Sequence, residues 1–171
     1  MPLLFELKKH LNHNMNKIKM ILPLLGLLIL FTSCGSARKI RERKIDTVIQ
    51  TARSYTGTPY KWGGTTRSGM DCSGLLINSF NAIDYKIPRT SEQQSKLGKK
   101  VKIDQLQKGD LVFFATGKKK RKITHVGLVT DTRGKDKVTF IHSSSSLGVV
   151  ETNIYSEYYL DRFRYGRRIL K

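Results

Sequence analysis

Three side chains carry the reactive chemistry of this sequence: the thiol of Cys72 and the imidazoles of His125 and His142. A thiol attacks as thiolate, and a helix start favours that form through its dipole and its N–H groups without intrahelical partners. Cys72 stands at an expected helix start, after Asp71, a favoured N-cap type, and ahead of Gly74, which is expected to keep the surface open. Nucleophilic use also needs a base for the thiol proton and a third group that orients the base. His125 opens one strand-like run, His142 closes the next, and Thr132-Arg133-Gly134-Lys135 reads as a hairpin turn. With the turn centred between Arg133 and Gly134, facing residue numbers total 267, which sets His125 directly opposite His142. On these residues alone other readings stay open. A lone cysteine is commonly a small buried hydrophobe, and a strand histidine a surface or core residue. A Cys/His/His zinc site would lack a fourth ligand and any C-x-x-C, so neither metal nor cofactor is expected.

The other cysteine, Cys34, and the other histidines, His10 and His13, lie in a different kind of segment. Residues 15–37 pass from a basic stretch (Lys17, Lys19) through an apolar run, Met20 to Phe31, to small residues around Cys34. The run falls short of the ~20 residues that span a bilayer and reads as a secretory signal. Thr32-Ser33-Cys34-Gly35 resembles a bacterial lipobox, in which the signal is cut before a cysteine that is then acylated; Phe31 stands where Leu is usual. A plain signal peptide or an uncleaved anchor would export the chain equally. Because the basic stretch begins at Met15, residues 1–14 are expected to lie upstream of the true start. The expected organisation is a signal segment at 1–33, a lipidated cysteine with a basic tether at 34–44, and one folded domain at 45–171. Loss of residues 1–33 removes Lys8, Lys9, Lys17 and Lys19 against Glu6, so the net charge of +19 becomes +16. Such a charge points to an anionic partner. Export excludes nucleic acid and leaves a membrane surface or an acidic polymer.

The elements that must position the three residues follow from periodicity. With 39% hydrophobic and 26% charged residues in a chain of 171, one folded domain is expected. Apolar residues at 45, 48, 49, 52 and 55 form a helical stripe, closed by Gly57 and Pro59. Thr56 to Met70 is a glycine-rich loop around Tyr60 and Trp62. A second helix starts at Asp71-Cys72 and buries Leu75, Leu76, Phe80 and Ile83, and Thr90 to Leu97 forms a short third. After Gly98 the pattern turns to strands: Asp110–Ala115, His125–Thr130, Lys137–His142, Gly148–Thr152 and Arg162–Leu170. Helices first and antiparallel strands second indicate an α+β domain. Lys118–Lys122 reads as a solvated loop between two strands. There is no internal repeat and no nucleotide-binding glycine pattern.

Six blocks, in order, carry a resemblance: Thr58-Pro-Tyr-Lys-Trp-Gly-Gly64, Met70-Asp-Cys-Ser-Gly74, Pro88-Arg-Thr-Ser-Glu-Gln-Gln94, Lys108-Gly-Asp-Leu-Val-Phe-Phe114, Ile123-Thr-His-Val-Gly-Leu-Val129 and Phe140-Ile-His-Ser143. Together they resemble the NlpC-type cysteine peptidases of bacterial cell walls over about residues 45–170. The resemblance implies a papain-like α+β fold, with the nucleophile at a helix N-terminus packed on a C-terminal antiparallel sheet of five to six strands. It makes Cys72 the nucleophile, His125 the base and acid, and His142 the group orienting His125. Tyr60 matches a tyrosine near the oxyanion site, Asp71 and Ser73 meet substrate polar groups or cap the helix, and Arg89, Ser91 and Gln94 belong to a mainly structural motif. The implied substrate is the peptidoglycan stem peptide, cut at the diaminopimelate–D-Ala crosslink or at D-Glu–diaminopimelate. The implied protein is a monomeric exported lipoprotein of the cell envelope, anchored through Cys34, most simply in the outer membrane facing the periplasm. A non-catalytic wall-binding lipoprotein and an acyltransferase or amidase on the same core are the alternatives.

Overall fold

The structure is a computed structural model describing residue 15, residues 35–134 and residues 136–170. Cys34, the signal segment and the expected start at Met15 concern residues outside this description, apart from Met15 itself. Residues 35–40 are helical and exposed, so the basic segment expected as a plain tether has helical backbone there. No helix among the described residues is long and apolar enough to cross a membrane.

The unit Arg41–Lys171 holds the site. Its first helix, α1 (residues 41–53 of this unit), buries Ile45, Val48, Ile49 and Ala52, four of the residues in the stripe expected from their spacing. A two-stranded ribbon, β1 (Thr65–Thr66) and β2 (Gly69–Met70), leads directly into α2 (Cys72–Asn81). Helix α3 (Ser91–Gln94) is capped by Thr90, whose hydroxyl accepts from the Gln93 N–H. The strands are β3 (Lys99–Val101), β4 (Leu111–Phe114), β5 (His125–Asp131), β6 (Thr139–Ser144), β7 (Gly148–Asn153) and β8 (Phe163–Arg168). All pair antiparallel, in the order β3-β8-β4-β5-β6-β7, giving the α+β architecture of six strands.

Strand β4 explains why the sheet can be a scaffold. Its four residues, Leu-Val-Phe-Phe, are all buried, because both faces of the sheet are covered. Leu111 and Phe113 join α1 and α2 in one core with Leu75, Leu76, Phe80, Val126 and Leu128. Val112 and Phe114 point the other way, into a second core with Val129, Phe140 and Ile154. Helix α4 (Glu157–Arg162) adds Tyr159 to that second core. The periodicity had not separated α4 or β3. A six-residue helix and a three-residue edge strand are too short to display a period.

Candidate active site

Cys72 is the first residue of α2, and the cap that starts the helix also builds the wall beside it. The Asp71 carboxylate accepts from the Gly74 N–H at 2.7 Å, the Ser73 hydroxyl at 2.9 Å and the Gly63 N–H at 3.0 Å. Arg89 donates to both of its oxygens, at 3.0 and 2.7 Å, and to the Ser73 hydroxyl at 2.8 Å. Burial alone would raise the Asp71 pKa. The Arg89 guanidinium, the Gly74 N–H and the Ser73 hydroxyl outweigh it and hold the carboxyl below its ordinary range. Asp71 and Ser73 line the cavity, but their polar atoms are already engaged by the protein. The carboxamide of Gln94 braces the same corner by donating to the carbonyls of Ser73 at 3.3 Å and Pro88 at 2.8 Å.

Gly74 does not leave an open surface. A Cβ there would stand 2.3 Å from the Gly64 carbonyl oxygen, because the glycine-rich loop lies directly on the first turn of α2. That carbonyl accepts from the Asp71 N–H at 3.1 Å. The same loop carries Tyr60 in a parallel bridge with Met70, fixed by the Met70 N–H donating to Pro59 at 3.0 Å and the Lys61 N–H to Met70 at 3.2 Å. Tyr60 thus lines the cavity with Cys72. Burial, reinforced by the Asp71 carboxylate and by the Cys72 sulfur whenever it ionises, raises its pKa, so its hydroxyl stays protonated.

The two histidines meet, though by a different register from the one expected. Partners across β5 and β6 are Leu128 with Ile141 and Val129 with Phe140, totalling 269 rather than 267, and a bulge interrupts the ladder between Val129 and Asp131. The turn is displaced by one residue, so His142 lies diagonally from His125 and not opposite it. Diagonal neighbours share a face and remain within reach of long side chains. Accordingly His125 Nε2 and His142 Nδ1 are 3.0 Å apart. On its far side His142 Nε2 is 3.1 Å from the Thr152 hydroxyl and 3.2 Å from that of Tyr159.

Aromatic rings enclose this pair: Phe140 stacks on His142 at 4.7 Å, Tyr159 lies 5.1 Å from it, and Phe114 lies 6.0 Å from His125. Burial pushes His125 down to about 4; burial and the neighbouring His125 push His142 down to about 3. A neutral His142 that donates Nε2–H to a hydroxyl must accept at Nδ1. His125 is then the donor at Nε2, which leaves its Nδ1 without a proton. The backbone N–H groups of Val126 on β5 and of Ser73 and Cys72 at the helix start favour the thiolate, yet burial outweighs them and, with Asp71, lifts the thiol to about 11. The resting pair is therefore neutral, contrary to the thiolate expected from position alone. Thiolate and imidazolium formed together offset each other's loss of solvent, so the proton can move when a substrate arrives.

Cys72, His125, Tyr60, Asp71 and Ser73 line one cavity of about 820 Å³, with His142 behind His125. Two members escaped the sequence reading, Thr152 and Tyr159. Thr152 could have been found once β6 and β7 were paired, since it stands opposite Phe140, two residues from His142. Tyr159 carries no sequence signal. Among the described residues no cluster of His, Cys, Asp and Glu could hold a metal ion.

The NlpC/P60 family model matches residues 57–168, from the loop before Tyr60 to the end of β8. A relative from Bacillus subtilis, a gamma-D-glutamyl-L-lysine dipeptidyl-peptidase, is 47% identical over 81 residues, which cover 47% of this chain and 27% of that protein. The murein DD-endopeptidase/murein LD-carboxypeptidase MepS of Escherichia coli K12 is 33% identical over 117 residues, 68% of this chain and 58% of that one. The chain thus spans less than two thirds of either relative. The crystal structure of an NlpC/P60 family protein from Bacillus cereus superposes with a TM-score of 0.66 at 34% identity, covering 74% of this chain and 40% of the other. The family match takes in every residue that lines the cavity, and the chain belongs to the NlpC/P60 family of cysteine peptidases.

Proposed function

We propose that this chain is a peptidoglycan endopeptidase that hydrolyses stem-peptide amide bonds through a thioester. The observation that carries the reading is the 3.0 Å link between His125 Nε2 and His142 Nδ1, which frees His125 Nδ1 for the thiol in the groove that holds Cys72. Cys72 Sγ attacks the carbonyl carbon while its proton passes to His125 Nδ1. The oxyanion is met by the Cys72 N–H and the Tyr60 hydroxyl. The imidazolium gives its proton to the leaving amine, the C–N bond breaks, and a thioester remains. Water, deprotonated by His125, then releases the acid and restores the thiol. Asp71 and Ser73, clamped by Arg89, form the polar wall that the peptide passes.

The scissile bond is D-glutamyl–diaminopimelate or the diaminopimelate–D-Ala crosslink, and the masses of released muropeptides assign it. The same products separate hydrolysis from acyl transfer. Cys72→Ala and His125→Ala are each expected to abolish release of fragments from purified sacculi. Full lytic activity in Cys72→Ala would overturn the mechanism. Within the same reading the enzyme is a monomer held at the envelope by lipid on Cys34. Cys34→Ala is then expected to move the protein from the membrane fraction to the soluble fraction, and retention in the membrane fraction would remove the anchor.

A further inference from the structure

The connection between β4 and β5, residues 115–124, carries five consecutive cations, Lys118 to Lys122, between Thr116-Gly117 and Thr124, which line the catalytic groove. Its base is fixed: the Thr124 hydroxyl accepts from the N–H groups of Thr116 at 2.9 Å and Gly117 at 3.2 Å. Thr116, Gly117 and Thr124 line the groove, and the next residue is His125. Arg164 donates to the Lys120 carbonyl at 2.7 Å, holding the tip by its backbone and leaving the cationic side chains free to project. All five are exposed, and among the described residues none is paired with a carboxylate. Next to the loop, Arg162 stacks over Tyr158 at 4.0 Å, and Tyr158 lines the same groove. The groove offers no counter-charge of its own, since Asp71 is the one carboxylate that lines it and Arg89 takes both its oxygens.

Five like charges on a loop held by its backbone repel one another, and no described contact of the fold requires them. Flanked on both sides by residues of the groove wall, they set up a positive field for an anion approaching His125 and Cys72. We propose that Lys118–Lys122 form a carboxylate-selecting rim, which makes the enzyme prefer stem peptides with free carboxylates over the same peptides amidated. This rests on the endopeptidase reading for its substrate. The rim itself is a binding device and can be tested without turnover.

The experiment uses two defined stem peptides, identical except that the carboxylates of one are amidated. Wild-type protein is expected to show kcat/KM about tenfold higher on the free stem, through KM, with the preference fading as salt rises. Replacing all five residues with serine should bring the ratio close to one, and the smaller charge reversal Lys119→Glu with Lys120→Glu should lower it below wild type. Both variants keep the Lys120 carbonyl that Arg164 holds. In parallel, the Kd of each stem is measured on Cys72→Ala protein with and without the serine loop. Tighter binding of the free stem that the serine loop erases supports the rim even if neither stem is cleaved, an outcome that would remove the endopeptidase reading alone. An unchanged free-to-amidated ratio in both loop variants overturns the proposal. So does loop-dependent binding to phosphatidylglycerol vesicles with stem preference intact, which would make the loop a membrane contact.

Discussion

His142 is held at both ring nitrogens, by His125 on one side and by Thr152 and Tyr159 on the other. The second contact supports one tautomer: with the proton on Nε2 and donated to these hydroxyls, Nδ1 is left to accept from His125. Tyr159 and Thr152 are thus positioning residues whose effect reaches the thiol through two imidazoles. In Tyr159→Phe the Thr152 hydroxyl remains, and kcat is expected to fall about fivefold with KM unchanged, the worth of one hydrogen bond. Adding Thr152→Val strands the N–H in a buried site, at ~1–3 kcal/mol, and should lower kcat by a further ten- to hundredfold; steady-state kinetics on a defined muropeptide measure both steps. How far such detail was legible differs by residue. Cys72 and the histidines stand out because reactive types are scarce and the motif blocks surround them. Their meeting was foreseen for the wrong reason, a turn placed one residue off, and it survives because diagonal positions on a sheet still share a face. Tyr159 was not foreseeable, since its contact spans elements distant in sequence.

At the scale of elements, the site depends on how closely the glycine-rich loop lies on α2. Gly64 and Gly74 face each other there, and the loop carries Tyr60 at its other end. Gly74→Ala would force a methyl group against a backbone carbonyl that cannot rotate away. We expect a loss of ~1–3 kcal/mol of stability, typical of overpacking, read by denaturant unfolding. A fall in kcat should accompany it, because moving Gly64 moves the Tyr60 hydroxyl. The order of elements was readable from the change of apolar period near Gly98, where helical stripes give way to strand runs. The strand order was not, because β8 inserts between β3 and β4 and so pairs with segments far from it in sequence.

For the molecule as a whole, the buried histidine pair ties folding to pH. The unfolded chain takes up protons near the ordinary imidazole value of 6.5, whereas the folded chain resists until about 4 at His125 and about 3 at His142. Between those limits the unfolded state binds more protons, so stability rises with pH and is lost as the solution is acidified below about 6.5. Denaturant unfolding should give a lower free energy at pH 5 than at pH 7, with His142 alone contributing a slope approaching ~1.4 kcal/mol per pH unit. His142→Gln, neutral throughout, should lower that slope to the share of His125; an unchanged slope would place the coupling elsewhere. Burial at Cys72 has a different consequence. Disulfides and oxidants react with thiolate, and a thiol only 8% exposed and held protonated offers them little of it. An enzyme of the cell wall works where no cytosolic reductant can repair a spent cysteine. By withholding its charge until a carbonyl fills the groove, the site keeps its sulfur serviceable between turnovers.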